Sequence, residues 1–333
     1  MPGLMKAIRF HGPRDLRFER VPRPGTPEED EVLIQVKAAG ICGSDLHVSQ
    51  TGAYVTLIPV VMGHEFSGTV LETGSKALGF SRGDHVVGDS RVFCGQCDSC
   101  EKGRPNLCRR LGFIGEVKNG AFGEEIVLPA SSLVKVEKPA PFHLTALAEP
   151  LAVALHAFRQ ARVQGRPRTL ILGAGPIGAL IHQVALLEGL SDISITDASA
   201  FRRQALETAR PGSVGEPSGR YELVFETTGS AAVLKNVIPE VVEKKGTLVT
   251  VGLFHQPVEF DFNLIVENEW SVFGCAAFND ELPAAVRLLE QHHFQFEHVV
   301  SRRLPLREFG TAFATLLSPE KKDMKVIFEP ELE

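Results

Sequence analysis

Nowhere does this chain run apolar for the roughly 18 residues that a bilayer-spanning helix needs, and the expectation is no membrane association. The opening MPGLMKAIRFHGPRD lacks the apolar stretch and small-residue cleavage site of a secretory signal. Basic residues nowhere form a dense stretch, and the net charge is -6, so a phosphate-backbone partner is not indicated and no nucleic acid is expected. The pair Arg202-Arg203 reads as a solvated helix face. Internal repeats and low-complexity tracts are absent. Cysteine is sparse and uneven: of six, four fall between Cys94 and Cys108, and none lies between Cys108 and Cys275. Such clustering excludes a disulfide framework and points to metal ligation in a reducing compartment, by default the cytoplasm.

The rest is an ordinary globular composition, 44% hydrophobic and 23% charged over 333 residues, a length that suggests two domains. The first half alternates with strand period in EVLIQVKAAG (31–40), HEFSGTVLETG (64–74) and GDHVVGD (83–89). From about Leu147 the period becomes helical, as in AEPLAVALHAFRQA (148–161). The continuous apolar run TLILGAG (169–175) then has the character of a buried parallel strand, and PIGALIHQVALLEGL (176–190) that of a helix. Strand and helix alternate onward through SDISITD, ASAFRRQALETA, YELVFETTG, SAAVLKNVIPEVV (230–242) and GTLVTVGLF. This pattern predicts an α/β protein with a doubly wound parallel sheet. The expected organisation is a β-rich domain over 1–150 and 295–333, interrupted by a nucleotide-binding domain over 151–294.

Gly173-Ala174-Gly175-Pro176-Ile177-Gly178 follows an apolar strand and opens a helix, and Asp197 closes the next strand. In that setting Gly173 permits a tight turn, Gly175 lets backbone approach a pyrophosphate, and Gly178 lets helix and strand pack closely. An acid at Asp197 would accept from a ribose diol and repel a 2'-phosphate, which favours NAD. Arg202 and Arg203 could hold a 2'-phosphate if Asp197 pointed away.

Cys94, Cys97, Cys100 and Cys108 form two C-x-x-C steps and a fourth thiol after seven residues. That set can enclose one zinc tetrahedrally with no open position, a structural site. An iron–sulfur run would bring its fourth cysteine after three residues with proline behind it. Three further fragments carry metal-binding groups: GICGSDLH with Cys42, Ser44, Asp45 and His47; GHE with His64 and Glu65; and AEPL with Glu149.

In their order along the chain, these motifs resemble the zinc-containing medium-chain alcohol dehydrogenases, over essentially the whole length. AEPLA is more similar to the polyol branch (sorbitol, idonate, butanediol and threonine dehydrogenases) than to ethanol-type enzymes, which use a second cysteine there. The resemblance implies a GroES-like catalytic domain, a Rossmann NAD domain, two zincs per chain and a homodimer or homotetramer. It implies a catalytic zinc on Cys42 and His64, with Glu65 and Glu149 competing for the remaining positions. Zinc would lower the pKa of a small secondary alcohol or polyol, and hydride would pass to the nicotinamide. Ser44 would accept the proton, His47 would relay it to water, and Asp45 would orient a ligand such as His64. His156 is read as packed or capping, and Cys275 as a small buried hydrophobe.

Two departures stand out. Polyol enzymes often carry an arginine in the region of FGCAAFNDE (273–281), where this chain has Ala276-Ala277-Phe278. The span between Ala209 and Tyr221 is also too short for a full third strand and its helix. The competing classes are a zinc-independent quinone or enone reductase and a non-catalytic nucleotide-binding protein; Cys42, His64 and Glu149 argue against both.

Overall fold

The computed structural model describes residues 3–332, which divide into two compact units. Of these, one holds residues 3–149, 282–319 and 325–332; the other holds 150–281 and 320–324. The second boundary thus falls at Leu282, not at 295. The helix Leu282–His292 belongs with the β-rich unit, burying Leu282, Ala285, Val286 and Leu289 along one stripe.

The β-rich unit is built round the strand Glu31–Gly40, whose side chains alternate between buried and half-buried positions before ending in three buried small residues. It pairs antiparallel with Glu65–Thr73 and, at its end, with Lys325–Phe328 from the C-terminus. Gly40 stands opposite Glu65 on one side and Ile327 on the other. Tertiary pairing therefore places the C-terminal strand one strand away from Glu65, across Gly40. The full sheet runs Leu133–Lys135, His85–Gly88, Glu65–Thr73, Glu31–Gly40, Lys325–Phe328, Val300–Leu304, with Glu125–Pro129 paired to Glu31–Gly40 as well. Ile8, Phe10, Ile34, Phe66, Phe122 and Phe328 fill the core.

The other unit holds a five-stranded parallel sheet in the order Ile193–Thr196, Thr169–Leu172, Tyr221–Glu226, Val242–Thr250, Ser271–Gly274. Thr169–Leu172 is buried at every position, as a strand covered on both faces must be. Chain order reverses on either side of it, which puts a ligand crevice beyond its C-terminal end. The third strand is reduced to one bridge, Val214 beside Ile195. The stretch expected as one helix over 230–242 is two, Ala231–Asn236 and Ile238–Val241. Pro239, in the first turn of the second piece, cannot donate to a continuing helix. No helix among the described residues is long and apolar enough to cross a membrane.

Candidate metal and cofactor sites

The cysteine lobe folds as a short wrap. Cys97 starts the helical turn Asp98–Glu101, a 3-10 turn Pro105–Leu107 delivers Cys108, and Gly95 and Gly103 take left-handed conformations (φ 73 and 68). All six cysteines of the chain are free thiols. Sulfur separations of 3.6 Å (Cys97–Cys100), 3.9 Å (Cys97–Cys108) and 3.5 Å (Cys94–Cys108) match the edge of about 3.8 Å expected of a tetrahedron with Zn–S near 2.3 Å. The Gln96 backbone N–H brings the Cys94 thiol down to about 6, whereas desolvation and its neighbours push Cys100 up to about 12. Four thiolates so close together need a cation between them, and the donor set fits zinc.

A second set gathers Cys42, His64 and Glu65, whose ligand atoms all lie within 4.8 Å of one another. Cys42 caps the helix Gly43–Thr51, so its sulfur sits at the positive end of the helix dipole. Asp45 does two things from the first turn. Its Oδ2 accepts the Cys42 N–H at 2.8 Å, and its Oδ1 lies 3.5 Å from Nδ1 of His64. That leaves Nε2 of His64 facing the cluster, 3.4 Å from Ser44 Oγ. Burial opposes a charge on His64, but Asp45 and Cys42 outweigh it and hold the imidazole well above its ordinary range. Sulfur, nitrogen and oxygen donors together fit a zinc site of the kind that keeps a position for another ligand.

Gly63 makes this approach possible. With φ 90, it lies so close to Phe122 that a Cβ there would come within 2.3 Å of the ring. Glu65 is gripped by Lys325, whose Nζ donates to both carboxylate oxygens at 2.7 Å and to the Ile41 carbonyl at 3.0 Å. Lys325 was not anticipated; its only signal was a cation opening the apolar strand KVIF, with its partner 260 residues away. Glu149, on the first turn of Ala148–Gln160, stands outside the set of three and accepts from Ser90 Oγ at 2.7 Å. Burial pushes its carboxyl up to about 7. Glu116, likewise unanticipated, is buried nearby and is raised to about 7 by desolvation, with His64 and Asp45 both felt. His47 is half-buried, its ring 6.4 Å from Tyr54.

In the parallel unit, Gly173, Gly175 and Gly178 lie at the crevice. A Cβ on Gly178 would fall 1.8 Å from the Gly173 carbonyl oxygen, so only glycine lets the helix Pro176–Leu187 start so close to the strand. Pro176 occupies the first turn and Ile177 follows it, half-buried. Asp197 turns towards this loop: Oδ2 accepts from Ala174 N–H at 2.8 Å and Oδ1 from Ser199 N–H at 2.7 Å. The Arg202 guanidinium lies 3.6 Å from the same carboxylate, and a Cβ on Gly175 would meet it at 3.3 Å. Arg203 donates to the Asp197 and Ala198 carbonyls. His156 is packed as expected, bonded to Glu281 at 3.0 Å; Cys275 is only half-buried, its thiol pushed up to about 12 by burial.

A glycine-rich loop at a sheet switch point, in a chain that also gathers two zinc-type donor sets, defines a metal-dependent dehydrogenase that uses a nucleotide cofactor. The comparisons agree. Residues 28–138 match the alcohol dehydrogenase GroES-like domain, and residues 216–291 match the family described as zinc-binding dehydrogenase. The (R,R)-butanediol dehydrogenase of Bacillus subtilis (strain 168) is 30% identical over 98% of this chain and 100% of its own. The sorbitol dehydrogenase of the same organism is 29% identical over 99% and 98%. A protein described as a zinc-binding dehydrogenase from Sinorhizobium meliloti 1021, crystallised with NADP, superposes with a TM-score of 0.90 at 28% identity, covering 98% of this chain and 100% of that one. The chain belongs to the zinc-binding alcohol dehydrogenases. It is an enzyme that interconverts an alcohol and a ketone with a nicotinamide cofactor, and a zinc-independent reductase is not favoured.

Proposed function

We propose that this enzyme oxidises a small polyol or secondary alcohol with NAD, using a catalytic zinc held by Cys42, His64 and Glu65. A second, structural zinc sits on Cys94, Cys97, Cys100 and Cys108. The observation that carries the reading is the convergence of three unlike ligand atoms, within 4.8 Å of one another, beside a hydroxyl at Ser44. When bound there, zinc polarises the alcohol oxygen and lowers its pKa. The protein's own groups do the rest. Ser44 takes the alcohol proton, and His47 returns it to water. Asp45 holds His64 in the tautomer that offers Nε2, and so acts as a positioning residue. Lys325 holds Glu65 in place and balances its charge, and Glu149, bonded to Ser90, is the competing carboxylate. Gly173, Gly175 and Gly178 receive the pyrophosphate at the helix N-terminus. Asp197 and Arg202 receive the adenosine ribose, which favours NAD even though the Sinorhizobium relative was crystallised with NADP. The substrate class follows the sorbitol and butanediol relatives. A cytoplasmic homodimer or homotetramer completes the proposal.

The test is zinc per chain, measured alongside NAD and NADP reduction over sorbitol, butane-2,3-diol and threonine. Two zincs, turnover at least about a thousandfold lower in Cys42→Ala, and one zinc retained in that variant are expected. One zinc in the unmodified protein, with activity indifferent to Cys42→Ala, overturns the catalytic assignment.

A further inference from the structure

The acids round the Cys42–His64 cluster are nearly all accounted for. Asp45 serves Cys42 and His64, Glu65 is held by Lys325, and Glu149 by Ser90. Glu116 differs. It is 7% exposed, and among the described residues its carboxylate takes part in no hydrogen bond or ion pair, although the charges of His64 and Asp45 both reach it. Its oxygens are not among the sealed polar atoms that lack a partner, so they open onto accessible space.

The turn that carries Glu116 has little freedom to bury or release it. Glu116 and Val117 N–H both donate to the Phe113 carbonyl, at 3.1 and 3.0 Å, and Gly115 N–H donates to Lys118 at 2.7 Å. The Glu116 carbonyl in turn accepts from Thr56 and Leu57 at 3.2 and 3.4 Å. The turn lies directly on the backbone before His64: a Cβ on Gly115 would come 2.8 Å from Gly63 N, and Ala121 N–H donates to the Gly63 carbonyl at 2.9 Å. The Phe113 ring is 6.1 Å from that of His64. An unpartnered carboxylate at such depth is costly unless something supplies a donor, and a rigid turn holds it in place for one.

We infer that Glu116 is a specificity-determining residue, whose carboxylate accepts a hydrogen bond from a donor, hydroxyl or ammonium, on the substrate carbon next to the carbinol. This rests on the proposal that the alcohol reacts at the Cys42–His64 centre. A diol or amino alcohol satisfies Glu116, while a simple secondary alcohol leaves it bare, and a site with an unmatched buried polar group discriminates strongly against the analogue that lacks the donor.

The experiment uses the zinc-loaded protein with NAD and three probes: butane-2,3-diol, 3-aminobutan-2-ol and butan-2-ol. Steady-state kcat and KM are measured for each, and binding of each is measured by calorimetry. The unmodified enzyme is expected to favour at least one of the two donor-bearing probes over butan-2-ol. In Glu116→Leu that preference falls about tenfold or more, mainly through KM, with zinc content unchanged. Glu116→Gln separates the donors, since an amide still accepts from a hydroxyl but no longer offers a charge: preference for the diol surviving assigns a hydroxyl, and selective loss of the amino alcohol assigns an ammonium. A preference that is absent in the unmodified enzyme, or unchanged in Glu116→Leu, overturns the inference. Calorimetric preference that tracks Glu116 while Cys42→Ala leaves turnover intact would sink the catalytic-zinc proposal instead.

Discussion

Lys325 and Glu65 meet with their side chains 3% and 1% exposed, and a pair sealed this well is sensitive to the loss of one member. In the zinc-free protein, Lys325→Met leaves Glu65 a bare buried charge and should lower stability by about 3–5 kcal/mol, read from the urea midpoint. Adding Glu65→Met should recover much of that loss; simple additivity of the two changes would mean the groups are not coupled. His85 offers a pH test. Burial depresses its pKa to about 4, with Glu290 opposing, and its Nε2 lies 2.9 Å from Thr145 Oγ1. Between about 4 and the ordinary value of 6.5 the unfolded chain binds a proton that the folded chain refuses. This contribution is therefore complete above 6.5 and lost as pH falls towards 4. Allowing for its partial exposure, it amounts to about 2 kcal/mol. Thermal melts from pH 7 to pH 4.5 should fall less steeply in His85→Gln than in the unmodified protein, and parallel curves would refute the assignment.

At the scale of elements, two glycines separate the two sites. Gly63 holds a left-handed turn under Phe122 and sets the entry to the strand carrying Glu65, while Gly178 lets a helix start against the strand Thr169–Leu172. Gly63→Ala should cost several kcal/mol through overpacking and strain, and should reduce zinc from two to one per chain while NAD binding persists. Gly178→Ala should do the reverse, weakening NAD at least about tenfold with both zincs retained. Zinc analysis and cofactor titration on the same preparations check both; loss of both ligands in either variant would mean general unfolding. The helix Gly43–Thr51 shows how one element serves two ends. Asp45 closes its N-terminus on Cys42 and also faces His64, so capping and ligand orientation are a single arrangement.

At the scale of the whole molecule, each unit should answer to its own ligand. NAD at a hundred times its Kd should stabilise residues 150–281 by about 2.7 kcal/mol, and zinc removal should loosen the β-rich unit. Segment-resolved hydrogen exchange checks this, and uniform protection changes along the chain would mean that both units open together. By itself the sequence determined the class, the parallel sheet, the glycine loop and the cysteine lobe. These depend on local periodicity and short spacings: Thr169–Leu172 reads as buried because Leu170, Ile171 and Leu172 are consecutive apolar residues with no polar alternation, and Cys94 to Cys108 lie within a single wrap. It showed the shortened third strand too, since a strand and helix cannot fit between Ala209 and Tyr221. Only the tertiary structure decided where Leu282–His292 belongs, that Pro239 divides a helix, and that Glu149 stands apart on Ser90. It also decided that Lys325 closes on Glu65 and that Glu116 lies unpartnered beside His64. Those outcomes depend on strand pairing and burial between residues far apart in the chain, and no local pattern of residue types encodes them.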